Sequence, residues 1–474
     1  MNPLAILAPI VAVAVAAVVL YDWLRPPDAA AMDVRERLPL AWDRTVKRDA
    51  EQAPDRLVQG VGRAAELEGS WPQFRGAARD GKAATEDPLL AVWPAAGPRV
   101  LWRVKVCEGH AGAAIHQGRV YLLDYDEATS ENVLRCLSLT DGADIWRYAF
   151  SARIKNNHGI TRTVPAVNDE FVVALDPVCN VRCVDARSGE LKWKMDLVAQ
   201  FGATVPQWYT GQCPLIDGDR VILAPGGEPY LMAVSLATGE AVWKVANPGG
   251  WKMTHSSIVP AEFGGVRQYL YCGSYGVLSV AAADGRLLWT WDRWKMPSIW
   301  SPSPVVIAPD RFLVTGDYGV GSQLVRVTGQ GGAFRLEEVA SPASEVFSCK
   351  QQTPLEDRDH LFTVLPDGRA TCMDLEGRTR WTSTSKVSTG RGPYMFINDG
   401  LYMIHDLTGE LIVADAGPHG YRELARAKVL RGHEAWAPMA FADGRLVLRD
   451  STEMVCLDLT AGQKAGAKAG EAAP

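Results

Sequence analysis

VRCVDARSGELKW, residues 181–193, reads as two β-strands around a polar turn. Val181, Cys183 and Val184 make a strand of small and apolar residues, Asp185 to Gly189 make the turn, and the second strand ends on Trp193. The same design recurs as LRCLSLTDGADIW ending at Trp146, LMAVSLATGEAVW at Trp243, VLSVAAADGRLLW at Trp289 and ATCMDLEGRTRW at Trp381. Self-similarity of this kind decides architecture before any other signal is weighed.

Trp146, Trp193, Trp243 and Trp289 are 47, 50 and 46 residues apart. One further step of the last spacing reaches Arg335, between Phe334 and Leu336, and the next reaches Trp381; a seventh unit closes near Leu424, where the tryptophan is missing. Each unit holds four short strands, for instance 163–167, 171–175, 181–185 and 191–195, and four-stranded sheets at this period read as propeller blades. The eighth unit, Trp436 to Leu459, supplies three strands only. Val100 to Val106, with Trp102, is an orphan strand that can complete it, pairing two sheet edges that would otherwise be open. The expectation is an all-β, eight-bladed β-propeller of four-stranded antiparallel blades, preceded by one N-terminal transmembrane helix.

The bulk numbers allow this. At 474 residues, with 47 % apolar and 22 % charged residues and a net charge of −6, the chain can bury a large core. It carries no basic stripe for nucleic acid. The nine cysteines include no CxxC pair, no haem-attachment CxxCH and no adjacent Cys-Cys. Cys136, Cys183, Cys372 and Cys456 share one register of the repeat, where a small apolar side chain facing a neighbouring sheet suffices.

Pro3 to Trp23 is apolar until Asp22 and long enough to cross a bilayer as a helix. A retained anchor competes with a cleaved signal peptide, for which Ala29 to Ala31 offer small residues. The missing N-terminal Lys or Arg, and Tyr21, Trp23 and Arg25 at the far end, favour the anchor. Arg25, Arg35, Arg37, Arg44, Lys47 and Arg48 follow the span and by the positive-inside rule point to the cytoplasm. The domain reading is anchor at 1–25, stalk or linker at 26–68 with a helix-compatible stretch from Asp55 to Leu67, lead-in segment packed on the propeller at 69–100, propeller at 101–460 and disordered tail at 461–474.

The full turn mark, Asp185, Ser188, Gly189 and Trp193, with partial copies at Thr238-Gly239-Trp243 and Asp141-Gly142-Trp146, resembles that of the quinoprotein-like eight-bladed propellers over residues 71 to 460. The lead-in Trp71-Pro72-Gln73-Phe74-Arg75-Gly76 is similar to openings found in that family. The family contains dehydrogenases that use pyrroloquinoline quinone, an outer-membrane assembly factor of the β-barrel assembly machinery, and other bacterial envelope proteins. The resemblance implies the fold, and a periplasmic propeller on the bacterial inner membrane, against the cytoplasmic placement that the charges suggest. Fold alone does not select the function. The adjacent cysteine pair of the dehydrogenases is absent, no haem site exists, and their calcium-binding residues do not align here. The lipid-modified cysteine of the assembly factor is also missing, since the first cysteine is Cys107.

In such blades the connection from the fourth strand to the next blade, and the loop between strands two and three, open on one face. The first kind brings His110, His158 with Arg162, Tyr209 with Gln212, His255, Trp300, Lys350, Arg391 and Trp436 to one end of the channel. Two readings compete: these side chains hold a protein partner, or an anionic or planar small ligand, or they plug the channel by bonding to loop carbonyls. His158, His255 and His433 stand on blades 2, 4 and 8, and a metal there is the weaker idea. The motifs Gly109-His110, His433-Glu434, Ser383 to Lys386, Pro225 to Gly227 and Gly316 to Gly321 lack the partners their signatures need. The favoured function is a membrane-anchored, non-catalytic scaffold with no catalytic residue, no metal and no firm cofactor. The alternative is an oxidoreductase holding pyrroloquinoline quinone with Ca²⁺ in the mouth, Trp300 or Trp436 as the floor and Lys350 or Arg391 on its carboxylates.

Overall fold

The computed structural model describes residues 54–461, apart from 91–92, 95–96, 297–299, 385–387 and 433. The expected anchor at Pro3–Trp23 and most of the tail lie outside the described residues. Among those described, no helix is long and apolar enough to cross a membrane.

Eight antiparallel sheets follow the chain, each running from an inner strand to an outer one. Blades 1 to 7 occupy 114–151, 166–196, 215–245, 259–291, 305–340, 355–382 and 394–428. Blade 8 takes Ala440–Ala442, Arg445–Arg449 and Glu453–Asp458, and its fourth strand is Arg99–Lys105 from the far end of the chain. The two pair antiparallel with Cys456 opposite Trp102, so the ring closes where the orphan strand predicts.

In all eight blades the third and fourth strands slip register by one residue. The residue before the slip faces the repeat tryptophan: Cys136, Cys183, Cys372 and Cys456 lie opposite Trp146, Trp193, Trp381 and Trp102. These four thiols are fully buried, and none of the nine cysteines is in a disulfide. Size explains the position, because an indole on the neighbouring strand leaves room for little more than a thiol. Blades 5 and 7 depart from the spacing. The residues at the tryptophan register are Ala340 and Ala425, not Arg335 and Leu424, because the hairpins there are longer and move the slip along the chain.

Several of the repeat tryptophans hydrogen-bond to the backbone of the next blade across hairpin turns. Trp193 Nε1 donates to Leu236 O at 2.7 Å, Trp243 Nε1 to Ala282 O at 3.2 Å, and Trp102 Nε1, across the closure, to Leu139 O at 3.0 Å. Burying one such indole removes on the order of 200 Å² from water, worth roughly 5 kcal/mol as an upper bound. The turn glycine of the next blade lies on the ring. Gly189 has φ +78°, and a Cβ there would stand 2.7 Å from Trp146 and 2.9 Å from Leu57. Glycine therefore meets two demands at once, a left-handed backbone and the absence of a side chain.

Leu57 belongs to a strand that the stalk reading missed. Arg56–Gln59 pairs antiparallel with residues 146–149, as a fifth strand on the outer edge of blade 1. Helix-compatible composition yields here to an open sheet edge that supplies backbone partners. Asp55 and Arg56 pin the strand through Tyr148 Oη at 2.7 Å and Glu131 at 2.8 Å.

The lead-in does more than pack on the propeller: it fills the axis. Ser70–Trp71 runs antiparallel to the inner strand of blade 1, the chain turns between Gln73 and Gly81, and Lys82–Ala83 returns parallel to the inner strand of blade 7. Val167 of blade 2 donates to Pro72 O at 2.8 Å, and Ile216 of blade 3 donates to Gln73 Oε1 at 3.1 Å. Arg79, 3 % exposed, donates to Cys213 O at 3.3 Å, Ile258 O at 2.7 Å and Pro214 O. Arg75 reaches Thr353 O at 2.7 Å and Pro354 O at 2.9 Å. Gly69 N donates to Asp443 of blade 8 at 2.6 Å. One segment thus bonds to blades 1, 2, 3, 4, 6, 7 and 8. Burial lowers the Arg79 pKa to about 10, which leaves the guanidinium charged at neutral pH.

Gly189→Ala is expected to destabilise the protein by at least about 2 kcal/mol, from left-handed strain plus the clash with Trp146. Urea unfolding of the purified variant measures this; a loss below about 0.5 kcal/mol would mean the ring shifts aside freely.

Candidate functional site

The inner strands begin on a ring of small hydrogen-bonding side chains. Val164 N donates to Cys213 Sγ at 3.2 Å, Cys213 N to Ser257 Oγ, Ser257 N to Ser303 Oγ and Ser303 N to Thr353 Oγ1, the last three at 3.0 Å. Each bond joins one blade to the next, so the connections share one register. Sequence reading missed this ring, although the regular recurrence of Cys213, Ser257, Ser303 and Thr353 could have revealed it. Two residues earlier in the same register stand Arg162, Gly211, His255, Ser301 and Gln351. Gly211 leaves space for its neighbour, since a Cβ on it would be 2.8 Å from the His255 ring.

Three of the predicted site residues, His110, Tyr209 and His255, bond through their side chains to neighbouring connections. His110, 8 % exposed, stacks on Trp436 with ring centroids 4.9 Å apart and bonds through Nε2 to His158 O at 3.1 Å. A carbonyl only accepts, so His110 Nε2 carries the proton, and its buried Nδ1 has no hydrogen-bond partner. His158 is exposed and contributes its backbone rather than its ring. Arg162 donates to four carbonyls, those of Asn157, His158, Gly159 and Ile160. Tyr209 Oη donates to Lys155 O, and its own carbonyl accepts from His255 Nε2 at 2.7 Å. Gln212 is fully buried and closes both its amide ends on the backbone of Ala224, a structural use. Trp300, 1 % exposed, lies edge-on to Trp294 at 4.4 Å inside the core of blades 4 and 5, away from the mouth surface.

Lys350, Arg391 and Trp436 come together around blades 5 to 8. Trp436 Nε1 donates to Asp406 Oδ2 at 3.1 Å, Arg391 N donates to Asp406 Oδ1 at 2.9 Å, and the Arg391 guanidinium lies 3.7 Å from the same carboxylate. Gln352 Nε2 donates to Trp436 O at 3.0 Å. Asp406 is 1 % exposed and organises this corner, yet in the sequence it is one acidic loop residue among many. Lys350 Nζ lies 5.9 Å over the Tyr318 ring. Beside these groups is a small pocket that encloses about 10 Å³, room for about one water molecule. His433, proposed for a metal with His158 and His255, lies outside the described residues. Among the described residues no group of three His, Cys, Asp or Glu side chains is placed to hold a metal.

Burial, reinforced by Arg162 and Arg449, lowers the His110 pKa to about 3, and burial with Arg162 lowers that of His255 to about 4. A histidine in the unfolded chain titrates near 6.5, so below that pH the unfolded state takes up a proton that folded His110 refuses. Its contribution to stability is complete above about pH 6.5 and is lost as pH falls toward 3. Between pH 6.5 and 5 the loss amounts to about 2 kcal/mol for this one group. His110→Phe keeps a ring over Trp436 and is expected to flatten the fall of the unfolding midpoint over that range. An unchanged pH slope would show that the imidazole takes a proton in the folded state.

The chain folds like two solved propellers. The crystal structure of BamB from Moraxella catarrhalis matches with a TM-score of 0.53 and 13 % identity over 76 % of this chain and 100 % of that one. A europium-containing methanol dehydrogenase matches with a TM-score of 0.54 and 13 % identity over 82 % of this chain and 89 % of that one. Identity this low shows the shared fold alone. No curated protein matches the sequence. The family model described as outer membrane protein assembly factor BamB matches residues 129–383, more than half of the chain, and with its repeat tryptophans and closed eight-bladed ring the protein belongs to that family.

Proposed function

We propose that the protein is a non-catalytic scaffold of the bacterial cell envelope, held on the inner membrane by its N-terminal helix, with the propeller in the periplasm, and that it binds a partner protein through the loop-rich face. One observation carries the reading. Tyr275, Tyr318 and Leu407 are 51 %, 47 % and 61 % exposed, and all three sit on loops between second and third strands, of blades 4, 5 and 7. Those loops open on the same face as Lys350, Arg391 and Trp436. Exposed aromatic and aliphatic tips beside cations are what protein interfaces favour. The match to a family of assembly factors agrees with this.

The quinone alternative finds less support in the side chains. Trp300 is enclosed and offers no floor for a planar cofactor, and the Trp436 ring already packs against His110, centroids 4.9 Å apart. The pocket encloses only about 10 Å³, far below the roughly 300 Å³ at which small-molecule sites begin. The lead-in segment occupies the channel beneath. Alcohol-dependent dye reduction by the purified chain, supplied with the quinone and calcium, would reject the non-catalytic part of the proposal.

A photoreactive amino acid placed at Tyr275, Tyr318 or Leu407 in living cells is expected to give an adduct with another polypeptide. The same group at Val242 or Leu287, exposed on outer strands, is expected to give none. Adducts from the outer strands alone would move the binding surface to the rim. For the periplasmic placement, a cysteine introduced at Asp399, whose side chain is 96 % exposed, in a Cys107→Ser background should react with an impermeant thiol reagent in intact cells. Reaction only after lysis would put the propeller in the cytoplasm.

A further inference from the structure

The loop face is not uniform. Its pocket lies over blade 6, with Lys350 and Gln351 on the connection from blade 5, Arg391 on the connection to blade 7, and Leu365 and Pro366 in its wall. Two of the three exposed apolar tips flank it, Tyr318 on blade 5 and Leu407 on blade 7. Among the described residues no carboxylate stands within ion-pair distance of Lys350, whose ammonium rests near the Tyr318 ring. Arg391 is steadied by Asp406 at 3.7 Å, while its side chain remains 36 % exposed. Gln351 Oε1 is buried in this corner without a hydrogen-bond partner. Lys350 and Arg391 are the two charged residues in the pocket's lining, which holds no carboxylate.

We propose that blades 5 to 7 receive an extended segment of the partner polypeptide, with an Asp or Glu carboxylate set at the mouth of the pocket between Lys350 and Arg391 and apolar residues on either side covering Tyr318 and Leu407. The inference rests on the protein-binding reading and narrows it to an acidic segment with apolar flanks. A carboxylate between an ammonium and a guanidinium gains charge-assisted hydrogen bonds, and a half-turn of the Gln351 amide presents an N–H to it. The apolar tips supply the area that a lone ion pair in water lacks.

Short random peptides displayed on phage and selected on the full-length protein are expected to be enriched in Asp or Glu next to Leu, Phe or Tyr. Binding of a selected peptide should weaken about tenfold with Lys350→Glu, and by a similar factor when its acidic residue becomes the amide. It should also fall with added salt and be indifferent to Leu287→Ala on the outer strand of blade 4. Lys350 is at the surface, and an unchanged unfolding midpoint checks that its variant folds. Selected peptides without acidic residues, or binding that ignores Lys350→Glu, would overturn the assignment to this sector and leave the protein-binding reading standing. Failure to select any peptide overturns the inference too; if the three tips also give no adducts in cells, the reading beneath it falls with it.

Discussion

The fold depends on a strand pairing that joins the two ends of the ring. A row of twisted sheets has an unpaired edge at each end, and such edges invite aggregation or fraying. Here Arg99–Lys105 lies along Glu453–Asp458, Trp102 faces Cys456, and the Trp102 indole bonds to blade 1. That contact is of the same kind as the one Trp193 makes with blade 3. Because closure repeats the ordinary blade-to-blade contact, no blade is strained to meet its neighbour, and the mouth at the axis becomes a property of all eight.

Closing eight blades leaves a space at the axis with inner-strand carbonyls facing into it. The chain fills that space with its own residues 70–83. Arg75 and Arg79 carry the donors, and a guanidinium, with five N–H groups in a fixed fork, can reach carbonyls on two blades at once. Neither is salt-bridged to a carboxylate among the described residues; the carbonyl dipoles around them offset their desolvation. The loop-side mouth is therefore shallow, with a floor made of protein. Its side chains divide into two groups: Tyr209 and His255 lock connections to one another while Arg162 and Gln212 bond within their own blade or connection, and Lys350, Arg391 and the exposed tips face outward. Bonded and exposed groups thus share one face, drawn from the blade-to-blade connections and from the loops between second and third strands.

How far the residues announced this varies with their chemistry. Trp146, Trp193, Trp243, Trp289 and Trp381 were legible because an indole beside a turn glycine has few other uses at a fixed period. The four cysteines were legible as core for the same reason. Alanines at 340 and 425 were not, because an alanine marks nothing by itself and its register is visible only in the pairing. Arg56–Gln59 was hidden because its strand partner lies about ninety residues away in the sequence. Of the candidate side chains, Trp300 and Gln212 looked as available as Trp436; only packing shows that the first two are enclosed. Asp406 gave no signal, since a buried carboxylate that orients an indole and an arginine reads like any other loop acid.

The sequence alone therefore determined the blade, the number of blades and the strand that completes the ring, because these follow from local periodicity and from the need to pair every edge. Tertiary structure alone decided that WPQFRG threads the axis, that the mouth is shallow, and which cations remain exposed. Those outcomes depend on the distances among carbonyls, rings and charges on blades far apart in the chain, and no local pattern encodes such distances.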